Sequence, residues 1–282
     1  MDAVIEKTAI PASANGKTQL MQESSDEMIE ISAVSKTYNT SQRGSHLALD
    51  DVNLTIKEGQ FVSILGPSGC GKSTLLYMVG GFVDVSAGSI KVKGAPVTGP
   101  GPDRGPVFQE FALFPWKTVL ENVMYGPLEQ GMPKKDAIAR ARELLTLVHL
   151  SKFENFYPKE LSGGMKQRVA LARTLAYKPS ILLMDEPFGA LDAYTRTRLQ
   201  NELLDIWERD RKTVMFITHS VEEAVFLSDR VYVMTPSPGH IRKVYDIDLP
   251  RPRIRSDLLL DRRYQDYVVS IERLMDEQDK EP

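Results

Sequence analysis

The sequence predicts an α/β fold built on a parallel sheet, and three observations carry that prediction. Apolar runs of strand length recur along the chain: Phe61-Val62-Ser63-Ile64-Leu65, Ser180-Ile181-Leu182-Leu183-Met184, Thr213–Thr218 and Arg230–Met234. Segments with helical spacing separate them, as parallel strands require of their crossovers. The first run also passes through Gly66-Pro67-Ser68-Gly69-Cys70-Gly71-Lys72-Ser73-Thr74 into the apolar stretch Leu75-Leu76-Tyr77-Met78-Val79. Strand, glycine-rich loop and helix in that order form the context of a phosphate-binding P-loop.

Taken in order, residues 1–28 are rich in Ala, Ser, Thr, Gln and Glu without apolar periodicity, and predict a disordered tail. Order is expected from Met28-Ile29-Glu30-Ile31, an alternating strand, followed by a second at Val52–Ile56 that ends in the turn Glu58-Gly59. Gly80-Gly81 closes the P-loop helix, and a short strand at Ser89–Val92 precedes a Gly/Pro-rich loop and another short strand at Val107-Phe108-Gln109. A helical insert follows, over about 111–177. Within it Ile138, Ala141, Leu145 and Val148 share one face, with Pro133 near the first turn, and a second helix opens at Ser162 and runs to about Ala176. Beyond the strand at 180–184 the pattern reads helix (Arg196–Arg209), strand (Thr213–Thr218), helix (Val221–Leu227) and two strands (Arg230–Met234, His240–Ile247). Leu249-Pro250-Arg251-Pro252-Arg253 interrupts it. After the interruption Leu260, Tyr264, Tyr267, Val268, Ile271 and Leu274 keep helical spacing, with Ser256 as the expected N-cap and the stripe packed on the domain. The expected organisation is a tail over 1–28, a domain over 29–250 and a C-terminal helical extension over 251–282.

Composition narrows the class of protein. Of 282 residues, 42% are hydrophobic and 26% charged, as in an ordinary globular chain. The net charge of −3 and the absence of a Lys/Arg block argue against nucleic acid as a partner. No apolar run approaches the roughly 20 residues of a membrane-spanning helix, and the N-terminal stretch lacks the pattern of a signal peptide. The single cysteine forms no intramolecular disulfide and suits a reducing compartment. It lies in the P-loop, so alkylation there is expected to block nucleotide binding.

The chemistry follows from the loop. Gly66, Gly69 and Gly71 let the backbone wrap so that N–H groups converge, and the helix beginning near Lys72 adds its positive end. Lys72 is expected to reach the β- and γ-phosphates of a nucleoside triphosphate, and the Ser73 hydroxyl to hold Mg²⁺. A second signal is the apolar strand ending in Asp185-Glu186. The first carboxylate is placed to orient Mg²⁺ and the second to polarise the attacking water, which predicts hydrolysis as well as binding.

A third signal separates one family from other P-loop proteins. Leu161-Ser162-Gly163-Gly164-Met165-Lys166-Gln167 opens a helix with a serine cap and two glycines. This resembles the signature motif of ATP-binding cassette (ABC) proteins, with Met165 where Gln is usual. Tyr38, Gln109, Ala190-Leu191-Asp192 and His219 match, in order, that family's adenine-stacking aromatic, Q-loop, D-loop and switch histidine. The resemblance spans about Ile29 to Ile247. It implies an ABC-type P-loop core with an antiparallel β edge and an inserted α-helical subdomain. It also implies a head-to-tail dimer with ATP between the P-loop of one copy and Ser162–Gly164 of the other. Gln109 would contact metal and water, Asp192 would lie at the dimer seam, and His219 would bond the γ-phosphate.

With no membrane span in the sequence, a separate transmembrane permease is the expected partner, and the location is the cytoplasmic face of the inner membrane. Phe108–Val119, Gly163-Gly164-Met165 and Leu249–Arg253 resemble the importers of nitrate, aliphatic sulfonates, taurine and bicarbonate. The resemblance implies an extracytoplasmic solute-binding protein as an indirect partner, and Phe114, Pro115 and Trp116 as the lining of a groove for a permease helix. The alternative is a soluble ABC-type ATPase acting in cluster assembly or another non-transport role.

Overall fold

The computed structural model describes residues 26–40, 44–189 and 191–278; most of the expected N-terminal tail lies outside them. The first described strand begins at Glu27, two residues before the expected domain boundary at Ile29. Strands β1 (Glu27–Thr40) and β2 (Gly44–Lys57) form a long antiparallel ribbon. With β4 (Ala87–Val92) and β5 (Ala95–Pro96) they make a four-stranded sheet in the order β2-β1-β4-β5.

The main sheet has six strands. It comprises β3 (Phe61–Leu65), β6 (Arg104–Val107), β7 (Ile181–Asp185), β8 (Thr213–Thr218), β9 (Arg230–Met234) and β10 (Ile241–Asp246), in the order β10-β9-β3-β8-β7-β6. All pairs are parallel except β10 with β9. The expected strand at 107–109 is displaced: β6 ends at Val107, and Gln109 falls in the following bend. Arg104-Gly105-Pro106 has no apolar alternation, so periodicity located only its last residue.

Alternation sorts the strand side chains between two cores. Phe61, Leu182, Met184, Val214 and Phe216 face one cluster, whereas Val62, Ile64, Ile181, Leu183, Met215 and Ile217 face the other. The second cluster is shared with the antiparallel sheet and with α1 (Lys72–Val79). The first is covered by α5 (Ala193–Asp210) and α6 (Val221–Leu227), and extends into a helical lobe. That lobe contains α2 (Val119–Glu129), α3 (Lys134–Leu147) and α4 (Gly163–Ala176). Helix α2 starts at a capping box, Thr118 with Glu121.

The C-terminal segment folds as α7 (Arg255–Leu258) and α8 (Arg262–Gln278). Ser256 lies inside α7 and is not the expected cap. Asp261 takes that role for α8, accepting from the Arg263 backbone N–H at 2.8 Å. Leu260, expected in the stripe, is 87% exposed and precedes the helix, whereas Tyr264 and Ile271 are buried against the first cluster.

Candidate functional site

Parallel strands bring their C-terminal ends to one edge of the sheet, and ligands of such sheets bind outside that edge. Here Leu65 pairs with Thr218, and Asp185 with Ile217. The residues that follow these strands, Gly66 onward, Glu186 and His219, are therefore neighbours although 120 residues separate Gly66 from Glu186.

The P-loop wraps over this edge. Gly69 and Gly71 have φ of 80° and 95°, in the left-handed region that favours glycine. At Gly71 a Cβ would also come within 2.6 Å of Leu49, so both torsion and space require glycine there. Lys72 opens α1, is nearly fully buried, and turns Nζ back to donate to the carbonyls of Gly66 and Pro67, each at 2.8 Å. Its donors therefore point into the loop's own concavity, together with the unbonded N–H groups of the helix start. A phosphate held there replaces neutral acceptors with charged ones.

Ser73 donates to Asp185 Oδ1 at 2.8 Å, joining the two sites expected to hold the metal. The second oxygen of this buried carboxylate accepts from the Tyr77 hydroxyl, also at 2.8 Å. Sequence reasoning missed Tyr77. Its signal was present: a hydroxyl four residues after Ser73 in a helix lies on the same face, one turn on. Burial, then the bond to Asp185, pushes the Tyr77 phenol up to about 12, which keeps it a neutral donor.

Glu186 follows at φ 42°, an uncommon conformation for a residue with a side chain. Its Oε2 lies 3.1 Å from His219 Nδ1 and its Oε1 4.0 Å from Lys72 Nζ. The acid expected to act on water thus faces both the expected phosphate lysine and the switch histidine. Its side chain is 19% exposed and that of His219 57%, so solvent reaches the pair from one side.

Of the other predicted residues, Tyr38, Gln109, Ser162, Gly163, Gly164 and Asp192 make no hydrogen bond to Lys72, Ser73, Asp185, Glu186 or His219. Tyr38 reaches the P-loop helix through its hydroxyl, 3.5 Å from Thr74 Oγ1, with its ring partly exposed. Gln109 is exposed and makes no hydrogen bond to any described residue. Ser162 caps α4 by accepting from the Met165 N–H at 3.4 Å, and Ser162 and Gly163 face solvent while Gly164 is buried. Met165 packs against the first apolar cluster, which accounts for a thioether where a polar side chain was expected. Asp192 caps α5 by accepting from the Thr195 N–H at 3.0 Å, a bond that holds its carboxyl below the usual range; Ala190 is not among the described residues.

Two expectations are corrected. Cys70 is 1% exposed, with its sulfur turned inward near Gly66, and burial pushes its thiol up. Only its backbone is available to a phosphate, and its thiol is no ready target for alkylation. Of Phe114, Pro115 and Trp116, only Phe114 lines the groove beside Gln109. That cavity measures about 450 Å³ and is also lined by Phe82, Phe108, Tyr125, Arg173 and Tyr177. Pro115 and Trp116 stand on its outer surface, Trp116 at 70% exposure.

A metal is consistent with the donors present. Among the described residues no group of three or more His, Cys, Asp or Glu side chains is placed to hold an ion. Ser73 and Asp185 offer hard oxygen donors, the kind Mg²⁺ takes when phosphates complete its shell.

Comparison with known proteins agrees with this geometry. The ABC transporter family matches residues 49–189. An uncharacterized ABC transporter ATP-binding protein of Methanocaldococcus jannaschii is 54% identical over 75% of this chain and 79% of its own length. The nitrate import ATP-binding protein NrtD of Synechocystis is 50% identical over 79% of this chain and 83% of its own. The bicarbonate transport ATP-binding protein CmpD of Synechococcus elongatus is 46% identical over 86% and 87%. Among solved structures, the dimeric bacterial ABC transporter cassette MJ0796 superposes with a TM-score of 0.71 at 37% identity, covering 79% of this chain and 100% of that one. A dimeric post-hydrolysis state of the same cassette, bound to ADP and Pi, gives 0.70 at 36% over the same shares. The loop that cradles phosphate, the acid beside it and this likeness lead to one conclusion: the chain belongs to the ABC transporter family, as one of its ATP-hydrolysing subunits.

Proposed function

We propose that this ATPase energises a membrane importer for a small anionic solute of the nitrate, bicarbonate, taurine or sulfonate kind, working on a separate permease. The observation that carries this reading is the similarity to the nitrate and bicarbonate import subunits. It extends over 79% and 86% of the chain, well beyond the 141 residues of the general family match. Among the described residues no helix is long and apolar enough to cross a membrane, and in this reading the channel is a separate permease. The aromatic groove beside Gln109 supports the same reading, since a cleft of this size lined by Phe and Tyr with Arg104 and Arg173 suits a short partner helix.

In this mechanism Lys72 and the P-loop N–H groups bind the β- and γ-phosphates, and Tyr38 stacks on adenine. Ser73, with Asp185 and Gln109, would hold Mg²⁺, which would supply positive charge beside the phosphates. Ser162–Gly164 of a second copy, with its helix N-terminus, completes the site across a seam that includes Asp192. Glu186 takes the proton of the attacking water, and His219 fixes the Glu186 carboxylate and bonds the γ-phosphate. Closure of the two copies moves the permease, and hydrolysis releases the seam. An extracytoplasmic protein selects the solute.

The test is purification of the tagged protein from native membranes. A co-purifying multispanning permease and ATP turnover that rises when it is reconstituted with its solute-binding protein are expected. An active ATPase that never associates with a membrane protein would favour the alternative of a soluble ABC ATPase.

A further inference from the structure

His219 stands exposed on a loop whose flanking residues are held from beneath by an acid that the mechanism does not use. Glu223, in the first turn of α6, is 6% exposed. Its carboxylate accepts from the Thr218 hydroxyl and, at 2.6 Å, from Gln200 Nε2. The Thr218 hydroxyl in turn accepts from the Ser220 N–H at 3.0 Å, and Ser220 Oγ accepts from the Glu223 N–H at 3.3 Å. The residues on both sides of His219 are thus closed into one hydrogen-bonded ring through a single buried carboxylate. Burial pushes that carboxyl above its usual range. Such a group is weak evidence for stability alone, because an apolar side chain of similar volume packs at comparable free energy.

The ring has an outer end. Gln200 Oε1 accepts from Arg255 Nη2. Arg255 comes from the segment after β10, and its guanidinium lies over the Phe226 ring, 4.6 Å from the centroid. Arg253 donates to the carbonyls of Val225, Phe226 and Ser228 at 3.1, 3.0 and 2.8 Å, gripping the C-terminal end of the helix that Glu223 opens. A second arginine, Arg251, bonds Asp229 at 2.7 Å and the Leu227 carbonyl at 2.8 Å. The Pro/Arg stretch that interrupts the strand–helix pattern therefore runs along α6 and ends in the polar chain beneath His219.

We propose that Glu223 and Arg255 are positioning residues for His219, with Arg255 carrying the influence of the C-terminal extension through Gln200. The inference rests on the assignment of His219 to the γ-phosphate. The hydrogen-bonded chain reaches the histidine through the backbone of Thr218 and Ser220, so it acts on where the imidazole sits more than on nucleotide affinity. It also gives the extension a route to the rate of hydrolysis, because displacement of Arg255 frees Gln200 and loosens the ring.

The test uses Arg255→Met, which keeps the aliphatic cover over Phe226 and removes the donor, alongside Gln200→Met and His219→Ala in the full chain. Arg255→Met should lower kcat about threefold to tenfold, the range of coupling expected for a residue acting at a distance. ATP affinity should stay at the wild-type value, and the melting temperature should fall only slightly, because the buried Gln200 Oε1 loses its donor. The chain has four histidines, so the His219 imidazole signal is identified in an NMR spectrum by its loss in His219→Ala. It should shift in both Met variants. Wild-type kcat and an unshifted His219 signal in Arg255→Met, with turnover lost in His219→Ala, would overturn the proposal. So would a lowered melting temperature without a shift of that signal, which marks a purely structural role. Wild-type turnover in His219→Ala would instead remove the assignment beneath it, and the proposal with it.

Discussion

Tyr77 and Ser73 share one face of α1 and divide the two oxygens of Asp185 between them. Tyr77→Phe keeps the ring against Phe108, 6.1 Å between centroids, but leaves one oxygen of a buried carboxylate without its partner. That loss is worth about 1–3 kcal/mol. Thermal unfolding should show it, and a titration of Mg²⁺-dependent nucleotide binding should need more Mg²⁺, because the carboxylate is free to turn away from Ser73. Glu186→Gln tests the neighbouring acid. It keeps the contact to His219 and the packing of the turn but removes the base, so turnover should fall about 10²–10⁴-fold while ATP binding persists. Lys72→Ala, by contrast, should lose affinity and turnover together in equilibrium binding and ATPase measurements.

Elements of regular pattern were legible before the fold was known, and the exceptions have physical causes. The P-loop, β7, β8 and the cap at Ser162 combine apolar period with fixed turn chemistry, so sequence located them closely. Strand β6 eluded the same reading because a sheet edge tolerates Gly105 and Pro106 where an inner strand would not. Tyr77 and Glu223 were missed because each works by holding another residue and lies in no recognised motif, Tyr77 through Asp185 and Glu223 through Thr218 and Gln200. Asn122 is a third case. This fully buried side chain of α2 accepts from the Phe114 N–H and donates to the carbonyls of Phe114, Lys117 and Thr118, and so fixes the loop that carries Trp116. Asn122→Leu strands several of those groups and should lower stability by about 2–4 kcal/mol in urea unfolding. Iodide quenching of Trp116 should change with it, since the only other tryptophan, Trp207, is buried.

At the scale of the whole molecule, the loop edge and the start of α4 are separate surfaces of one chain, and the proposed seam needs two copies to join them. Glu186→Gln with ATP should therefore elute from size-exclusion as a dimer, while the wild type returns to monomer as ATP is consumed. Alkaline unfolding offers an independent check on packing. Burial holds the phenols of Tyr77, Tyr177 and Tyr264 up to about 12, against an ordinary value near 10. The folded state keeps these protons more tightly than the unfolded one, so their contribution is complete below pH 10 and is lost as pH rises towards 12. Absorbance at 295 nm should show a late class of tyrosines that ionises only with unfolding.

The inward turn of Cys70 has a practical consequence. Its sulfur is sealed beneath the P-loop and its proton is held by burial, so the native thiol is silent to maleimide and nitroxide reagents. Because it is the only cysteine in the chain, a cysteine introduced at an exposed position such as Tyr194 becomes the one reactive label without any deletion in the P-loop. Paired spin labels on two copies would then read the opening and closing of the proposed seam as a distance distribution, in a protein whose phosphate loop keeps its natural sequence.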